Sequence, residues 1–183
     1  PDPGQEDDWR HTSSSVTAAL VAPYHRGRDL FLMPEDDQWA LAKFTYVLGV
    51  DKDIHDEDVD MWLLRDCVEW EYLGRARTSE DEEYPTVEGI EDTGGWIFFP
   101  IPSERRLGPG RHRIHFVVRG DLSATDQIIQ VLEPGDRAAV SDVDGTLTSD
   151  EYAQAWDVLL DISPEAHPGA AEAMWALSRK GYR

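Results

Sequence analysis

The feature that most constrains the fold is a series of short segments between residues 29 and 132 in which apolar and polar residues alternate. In one of them Val59, Met61 and Leu63 fall on the same face, because successive side chains of a strand point to opposite sides. Turn-forming stretches such as Gly108–Gly110 separate the segments. The predicted strands are Leu30–Met33, Trp39–Val47, Val59–Leu64, Glu69–Arg77, Trp96–Ile101, Arg113–Arg119 and Gln127–Leu132. This pattern predicts a mainly β domain, an antiparallel β-sandwich related in plan to immunoglobulin-like domains.

Charge limits the partners of this chain. It carries 37 acidic and 17 basic residues, for a formal net charge of −20. A surface of this sign repels the phosphates of nucleic acids and of anionic bilayers, so no nucleic-acid partner is expected. No apolar run has the length needed to span a bilayer, which predicts no transmembrane segment. The compartment stays open: we expect a soluble protein, cytoplasmic or exported with its leader removed.

The composition along the chain predicts three parts. Residues 1–28 are polar and rich in turn formers, which predicts a partly disordered N-terminal segment, although 16–21 suits a strand or a short helix. Residues 29–134 form the predicted β-sandwich accessory domain. Pro134-Gly135-Asp136 marks the boundary, and residues 135–183 begin an α/β domain that the chain does not complete.

A short acidic motif, Asp-Val-Asp-Gly-Thr-Leu-Thr, begins at Asp142. Asp142 and Asp144 point the same way if they lie at a strand end. One carboxylate can then attack phosphorus while the other transfers a proton, and both can help to hold a hard cation such as Mg²⁺. The Gly-Thr turn allows backbone N–H groups to close on an anion. The predicted phosphate-binding residues are Val143, Asp144, Gly145 and Thr146.

The residues around the motif predict the first β-α unit of a Rossmann-like α/β domain. The small apolar run 138–142 suits a buried parallel strand. A second segment, rich in helix formers, predicts a helix that opens near Gly169 and ends by Gly181, a glycine suited to a left-handed cap. Strand, acidic turn and helix together form half of a βαβ unit.

The motif resembles the first signature of haloacid-dehalogenase-superfamily phosphatases, and its ending in Thr148 resembles the lipin-like phosphatidate phosphatase branch. The order of a β domain with Lys43–Tyr46 and Leu107–His112 before the motif is similar to bacterial members of that branch. The resemblance implies that Asp142 is the nucleophile that forms an aspartyl-phosphate and that Asp144 is the general acid and base. It also implies that Mg²⁺ bridges the Asp142 carboxylate and the Asp144 backbone carbonyl, and that the substrate is a phosphate monoester, possibly phospholipid-like.

The remaining signatures of that family would lie beyond Arg183, so the partner of this half-site would be the rest of the same polypeptide. We therefore expect the chain by itself to lack phosphatase activity, and the full-length protein to be a Mg²⁺-dependent phosphate monoester hydrolase. The competing hypothesis is a β-sandwich recognition or adhesion module attached to a degenerate phosphatase remnant.

Three further clusters have two interpretations each. The acidic run Asp51–Asp58 suits a solvated loop or a Ca²⁺ site. The basic residues in 111–115 suit a paired surface stripe or a phosphate contact, with His112 on the face of Ile114. A set of aromatic residues suits either the core or a lipid- or sugar-contacting platform. These aromatic residues are Trp9, Tyr24, Trp62, Trp70 and Trp96.

Overall fold

A computed structural model describes residues 1–47, 51–65, 68–142, 146–148 and 165–182 of the chain. The chain divides into two compact units, Pro1–Glu133 and Pro134–Arg183. The first unit contains the β domain, and the second contains the acidic motif.

The first element of the first unit is helix α1 (Thr12–Leu20), and the elements that follow it are almost all strands. A 3₁₀ turn, Ser103–Arg105, lies between two of these strands. In chain order the strands are β1 (Ala22–Pro23), β2 (Arg26–Gly27), β3 (Leu30–Leu32), β4 (Trp39–Lys43), β5 (Thr45–Val47), β6 (Asp51–Asp53), β7 (Asp58–Arg65), β8 (Glu69–Arg77), β9 (Trp96–Pro100), β10 (Gly110–Val118) and β11 (Ala124–Val131).

The strands form three sheets that share one hydrophobic core. The largest sheet has the order β3-β11-β10-β7-β8, and the two smaller sheets have the orders β1-β5-β6 and β2-β4-β9. Pairing is antiparallel throughout, except that β3 runs parallel to β11. The domain is therefore mainly β and built from several antiparallel sheets, which confirms the fold class predicted for this part of the chain.

The alternating segments face the core as predicted. Val59, Met61 and Leu63 of β7 are all fully buried, and β10 contributes Ile114 and Phe116 to the same cluster. Burial of these side chains is the main favourable term in the folding of such a domain. Period-two alternation thus identified the inner face of the large sheet correctly.

The predicted strand Trp39–Val47 is divided in the structure. Phe44 separates β4 from β5, and its backbone bonds toward both small sheets: its N–H donates to Gly95 O, next to β9, at 2.8 Å, and its carbonyl accepts from the Ile54 N–H, next to β6, at 3.2 Å. The chain thereby passes from one small sheet to the other. The Phe44 side chain is fully buried and lies 6.1 Å from Phe116, ring centroid to ring centroid. Residues 39–47 contain no turn-forming residue, so nothing in the sequence signalled this change of sheet.

The N-terminal segment contains defined structure where partial disorder was predicted. Residues 3–11, here called the N-terminal strap, lie along the β domain and lead into α1. Trp9 of the strap covers Gly120, where a Cβ atom would lie 2.2 Å from the indole ring. Trp9 also packs edge-on against Tyr46, with ring centroids 6.4 Å apart. The polar composition of this segment predicted disorder. The residues that anchor the segment lie far away in the sequence, so the local composition gave no sign of them.

In the second unit the predicted helix is confirmed as α2 (Ala170–Arg179). Gly169 precedes it and Gly181 follows it, both with positive φ angles, of 86° and 81°. The predicted strand 138–142 is wrong, because none of these residues is in a strand. Only the neighbouring Arg137 makes an isolated parallel bridge, to Tyr182. A strand requires hydrogen-bonded neighbours, and among the described residues no Rossmann unit is evident.

Candidate functional site

The outer surface of the large sheet carries a cluster of aromatic rings, here called the aromatic face: Trp62, Trp70, Tyr72 and His115. Register places them together, since Trp62 lies opposite both Tyr72 of β8 and His115 of β10. Trp62 meets Tyr72 edge-on with ring centroids 5.5 Å apart, and Trp70 lies 5.8 Å from His115. Tyr72 is 48% exposed, and both tryptophans are half-buried. This face combines a large apolar area with hydrogen-bonding ring edges.

A buried charge network fixes one end of the aromatic face. Asp60 is almost fully buried and accepts hydrogen bonds from the Tyr72 hydroxyl at 2.8 Å and from Arg75 at 2.7 Å. Arg119 approaches the same carboxylate at 3.4 Å. Burial, together with Asp60, raises the pKa of the Tyr72 hydroxyl, and the bond to Asp60 raises the pKa of Arg75. The Tyr72 ring is therefore held in one orientation rather than free to rotate.

A second polar cluster joins His25, Ser123, Asp121 and Tyr46. His25 Nε2 lies 2.8 Å from Ser123 Oγ, and Ser123 Oγ donates to Asp121 at 2.5 Å. The Tyr46 hydroxyl donates to the other Asp121 oxygen at 2.5 Å. Burial lowers the pKa of His25 to about 4, although the Asp121 charge acts in the opposite direction.

A histidine, a serine and an aspartate in contact suggest a nucleophilic serine. The position of the proton on the histidine ring argues against this role. The Thr45 N–H donates to His25 Nδ1 at 3.3 Å, so the ring proton of the neutral imidazole is on Nε2 and is donated to Ser123. A catalytic histidine must instead accept the serine proton. The cluster is therefore a structural chain of donors that ends at Asp121, and it ties β5 to the turn between β10 and β11.

The acidic run Asp51–Asp58 is neutralised by cations of the same unit. Asp51 pairs with Arg26 at 3.0 Å, and Asp53 pairs with Lys43 at 2.7 Å. Asp56 accepts from Arg10 at 3.0 Å; burial by itself would raise its pKa, but the bonds from Arg10 and His11 outweigh this effect and lower it. Among the described residues no group of three or more His, Cys, Asp or Glu side chains is placed to hold a metal. The Ca²⁺ interpretation of this run therefore finds no support.

Glu57, in the same run, anchors the strap. Its side chain is 2% exposed, and its two oxygens accept the N–H groups of Arg10 and His11, each at 3.0 Å. Arg119 holds the other end of the strap, donating to Pro3 O at 2.6 Å and to Asp7 at 3.1 Å. The bond from Arg119 lowers the pKa of Asp7. Within the acidic run, Asp56 and Glu57 thus fasten the C-terminal end of the strap to the β domain.

The predicted catalytic motif is described only in part. Asp142 is exposed, and Thr146 Oγ1 lies 3.5 Å from its carboxylate, at the outer limit for a hydrogen bond. The other predicted site residues, Val143, Asp144 and Gly145, lie outside the described residues. The assignment of these positions to phosphate and Mg²⁺ stays a prediction.

The other predicted clusters have defined places. His112 is buried on the side of Ile114, as predicted, while Arg113 and His115 point outwards and share Asp126 at 3.7 Å and 2.7 Å. The outward side chains Arg113 and His115 are therefore paired with an acidic residue, which leaves the phosphate interpretation without support. The predicted aromatic set divides: Trp9 and Trp96 pack against the core, while Trp62 and Trp70 lie on the outer face.

Comparison with known proteins assigns this β domain to a family of β-sandwich domains. Residues 23–131 match the family described as "PITM 1-3, beta-sandwich domain", and the chain belongs to this family. It is similar to protein retinal degeneration B of Drosophila melanogaster, at 27% identity over 98% of the chain and 13% of the fly protein. It is also similar to membrane-associated phosphatidylinositol transfer protein 1 of Rattus norvegicus and protein 3 of Homo sapiens. Each is 24% identical over 96% of the chain, which corresponds to 13% of the rat protein and 16% of the human protein.

These relatives correct the resemblance drawn from the acidic motif. The similarity extends over 96–98% of the chain and is to proteins of the PITM and retinal degeneration B group. The expectation of a lipin-like phosphatase of the haloacid-dehalogenase superfamily is therefore wrong, and so is the phosphate monoester hydrolase function that it implied. A short motif with few fixed positions therefore identifies a family less reliably than similarity across the β domain before it.

The chain spans about an eighth of the length of the first two of these relatives. No solved structure matches it significantly. Within the described part of the chain, no helix is both long and apolar enough to cross a bilayer.

Sequence reasoning missed the strap anchors Glu57 and Arg119 and the His25 cluster. Their partners lie tens of residues away in the chain, so local spacing gave no signal. The aromatic face was partly accessible, because Trp62 and Trp70 were predicted as exposed candidates. Tyr72 was missed, although it follows Trp70 by two positions on the same strand, where period two places both on one face.

Proposed function

We propose that the β domain is a non-catalytic accessory domain of a longer polypeptide that handles lipid, and that its aromatic face docks a neighbouring domain of that polypeptide. The observation that carries this proposal is the aromatic face itself, an ordered apolar cluster on the outer side of a sheet. Trp and Tyr are the residue types that dominate binding energy at protein interfaces.

The interior of the domain argues against a role as the lipid carrier. Phe44, Tyr46 and Phe116 are fully buried at its centre, and Phe44 and Phe116 are in edge-on contact. A carrier needs an apolar cavity that takes up acyl chains, whereas these side chains fill the interior. The names of two relatives refer to phosphatidylinositol transfer, and the matched part is a small share of each of these proteins. On this proposal, another part of the longer polypeptide carries the lipid.

The choice of a neighbouring domain as the occupant rests on charge and on chain length. The net charge of −20 disfavours an anionic bilayer. In the relatives more than four-fifths of the polypeptide lies outside the match, so a covalently linked partner is present at high effective concentration. The edge strand β8 carries Glu69, Glu71, Arg75 and Arg77, which discourage pairing along its edge. Contact is therefore expected through the face.

Hydrogen exchange tests this docking. We expect amides of β7 and β8 to exchange at least about tenfold more slowly in the full-length polypeptide than in the 183-residue chain, because docking adds roughly 1.4 kcal/mol or more to the cost of local opening. Trp70→Ala should abolish the difference by removing an anchor of the interface. Tyr84→Ala is the matched control, an aromatic residue 38% exposed outside the aromatic face. Equal exchange rates in the two proteins would contradict the proposal.

A further inference from the structure

The outer side of the large sheet is covered over one part of β10 and open over another. Alternation along this strand places Arg111, Arg113, His115, Val117 and the following Arg119 on the outer side. Val117 is 1% exposed although it does not belong to the hydrophobic core cluster, so it is covered from outside. In contrast, Arg111 is exposed, and the Arg113 side chain is 48% exposed. The region around these two arginines is here called the open part.

An acidic segment of the chain itself, the N-terminal strap, binds the covered part. Asp7 of the strap pairs with Arg75 at 3.2 Å and with Arg119 at 3.1 Å. Arg119 also donates to Pro3 O at 2.6 Å. Residues 6–8 of the strap are all acidic. The structure thus contains one example of how this side of the sheet is covered, with carboxylate and carbonyl oxygens placed on outward arginines.

The open part carries an excess of positive charge. Arg111 pairs with no acidic side chain among the described residues. Arg113 lies 3.7 Å from Asp126, which it shares with His115. Two guanidinium groups therefore meet one carboxylate, in a protein whose net charge is −20. Arginine is the residue type best suited to bind a carboxylate through two parallel hydrogen bonds.

Apolar side chains flank these arginines on both sides. Leu64 of β7 lies opposite Arg113, and Trp70 of β8 lies opposite Leu64, which leads into the aromatic face. On the other side Phe31 of β3, opposite Gln130, is 52% exposed. Strands lie about 4.8 Å apart, so the distance from β3 to β8 is about 19 Å, the length of about six extended residues. A cationic centre between two apolar margins of this width fits a peptide segment.

We propose that the segment seated on the open part is acidic, and this inference rests on the docking of a neighbouring domain proposed above. A carboxylate of the segment pairs with Arg111, and its apolar side chains pack against Trp70 and Phe31. The strap, which binds the adjoining arginines in the same way, supports this chemistry. A basic segment is disfavoured here, because it would meet the guanidinium of Arg111 without a carboxylate between them.

Charge reversal in the full-length polypeptide is the first test. We expect Arg111→Glu to remove about tenfold of the protection from hydrogen exchange that docking gives to β7 and β8, because a charge-assisted pair is replaced by repulsion. Arg26→Glu is the matched control. It makes the same change in charge on β2, outside the large sheet, where Arg26 is half-exposed and pairs with Asp51 at 3.0 Å. The control should be protected like the parent.

Cross-linking identifies the partner of the arginine. Arg111→Lys retains the positive charge and introduces an amine, which a carbodiimide joins to a carboxylate in contact with it. Mass spectrometry should find this amine linked to an Asp or Glu of the same polypeptide outside residues 1–183. Arg26→Lys is the control, and its new amine should be linked to Asp51.

The outcomes separate this inference from the docking on which it rests. If the parent shows no protection of β7 and β8, docking fails and the acidic segment fails with it. If the parent is protected and Arg111→Glu retains that protection, only the acidic segment is overturned. A cross-link to a second copy of residues 1–183, or no cross-link outside residues 1–183, also overturns it. So does binding of anionic vesicles by the 183-residue chain that Arg111→Glu abolishes, since the open part would then meet a membrane.

Discussion

Replacing Gln127 with leucine is expected to lower the free energy of unfolding by about 3–5 kcal/mol. Gln127 is fully buried on β11. Its side chain makes hydrogen bonds to backbone groups of neighbouring segments of the chain, as a paired strand would. Its Oε1 accepts from the Leu41 N–H at 3.0 Å, and its Nε2 donates to Arg28 O at 2.6 Å and to Trp39 O at 3.2 Å. Leucine would leave these backbone groups buried without partners, at roughly 1–3 kcal/mol each.

Urea unfolding followed by tryptophan fluorescence measures this effect, and Gln130→Leu is the matched control. Gln130 is on the same strand with its side chain half-buried, and it donates to Gly110 O at 3.0 Å. Water can replace that bond, so the control should cost less than about 1 kcal/mol. Similar losses in the two variants would show that the Gln127 side chain does not link β11 to β4.

Acidification from pH 6.5 to pH 4 is expected to cost about 3 kcal/mol of stability through His25. Its pKa in the folded protein, about 4, lies below the ordinary value of 6.5 because the ring is buried. Between these values the unfolded chain binds a proton that the folded chain does not, so stability falls as the pH falls. From about one pH unit above 6.5 both states are neutral, and the effect disappears.

His25→Gln should flatten the dependence of stability on pH in this window, because glutamine does not titrate. Asp7 and Asp56 have lowered pKa values, so the stability that they contribute is lost only at lower pH, below the ordinary value of 3.8. His115→Gln leaves His25 in place and serves as the control. If His25→Gln retained the full slope between pH 4 and 6.5, another group would be responsible.

Much of the sheet structure could be predicted from the sequence, because buried and exposed side chains alternate with period two along a strand. Strand β8 was predicted with its observed bounds, and β7, β9 and β10 were predicted within three residues at each end. Strands β1, β2 and β6 were not predicted. They have two or three residues each, and long-range contacts define them: Gly27 of β2, for example, lies so close to Asp126 O that a Cβ atom would be 2.0 Å away.

The candidate sites could be predicted from the sequence less well than the fold, for two physical reasons. Some strap anchors depend on contacts between residues more than a hundred positions apart in the sequence. Arg119, for example, donates a hydrogen bond to Pro3 O. The acidic motif at Asp142 has a local pattern that several functions can share, and only comparison over the whole chain placed it in the PITM group. A pattern of a few residues indicates a possible chemistry but does not identify a family.

The central proposal is that this β domain belongs to a longer polypeptide that handles lipid, but does not itself carry the lipid. The most direct measurement is binding of labelled phosphatidylinositol by the purified 183-residue chain, after incubation with vesicles and separation by gel filtration. A phosphatidylinositol transfer domain serves as the positive control. Because side chains fill the interior, we predict that no lipid elutes with the chain. Stoichiometric elution of phosphatidylinositol with the monomeric chain would contradict the account, since it would require an acyl-chain cavity where Phe44, Tyr46 and Phe116 now lie.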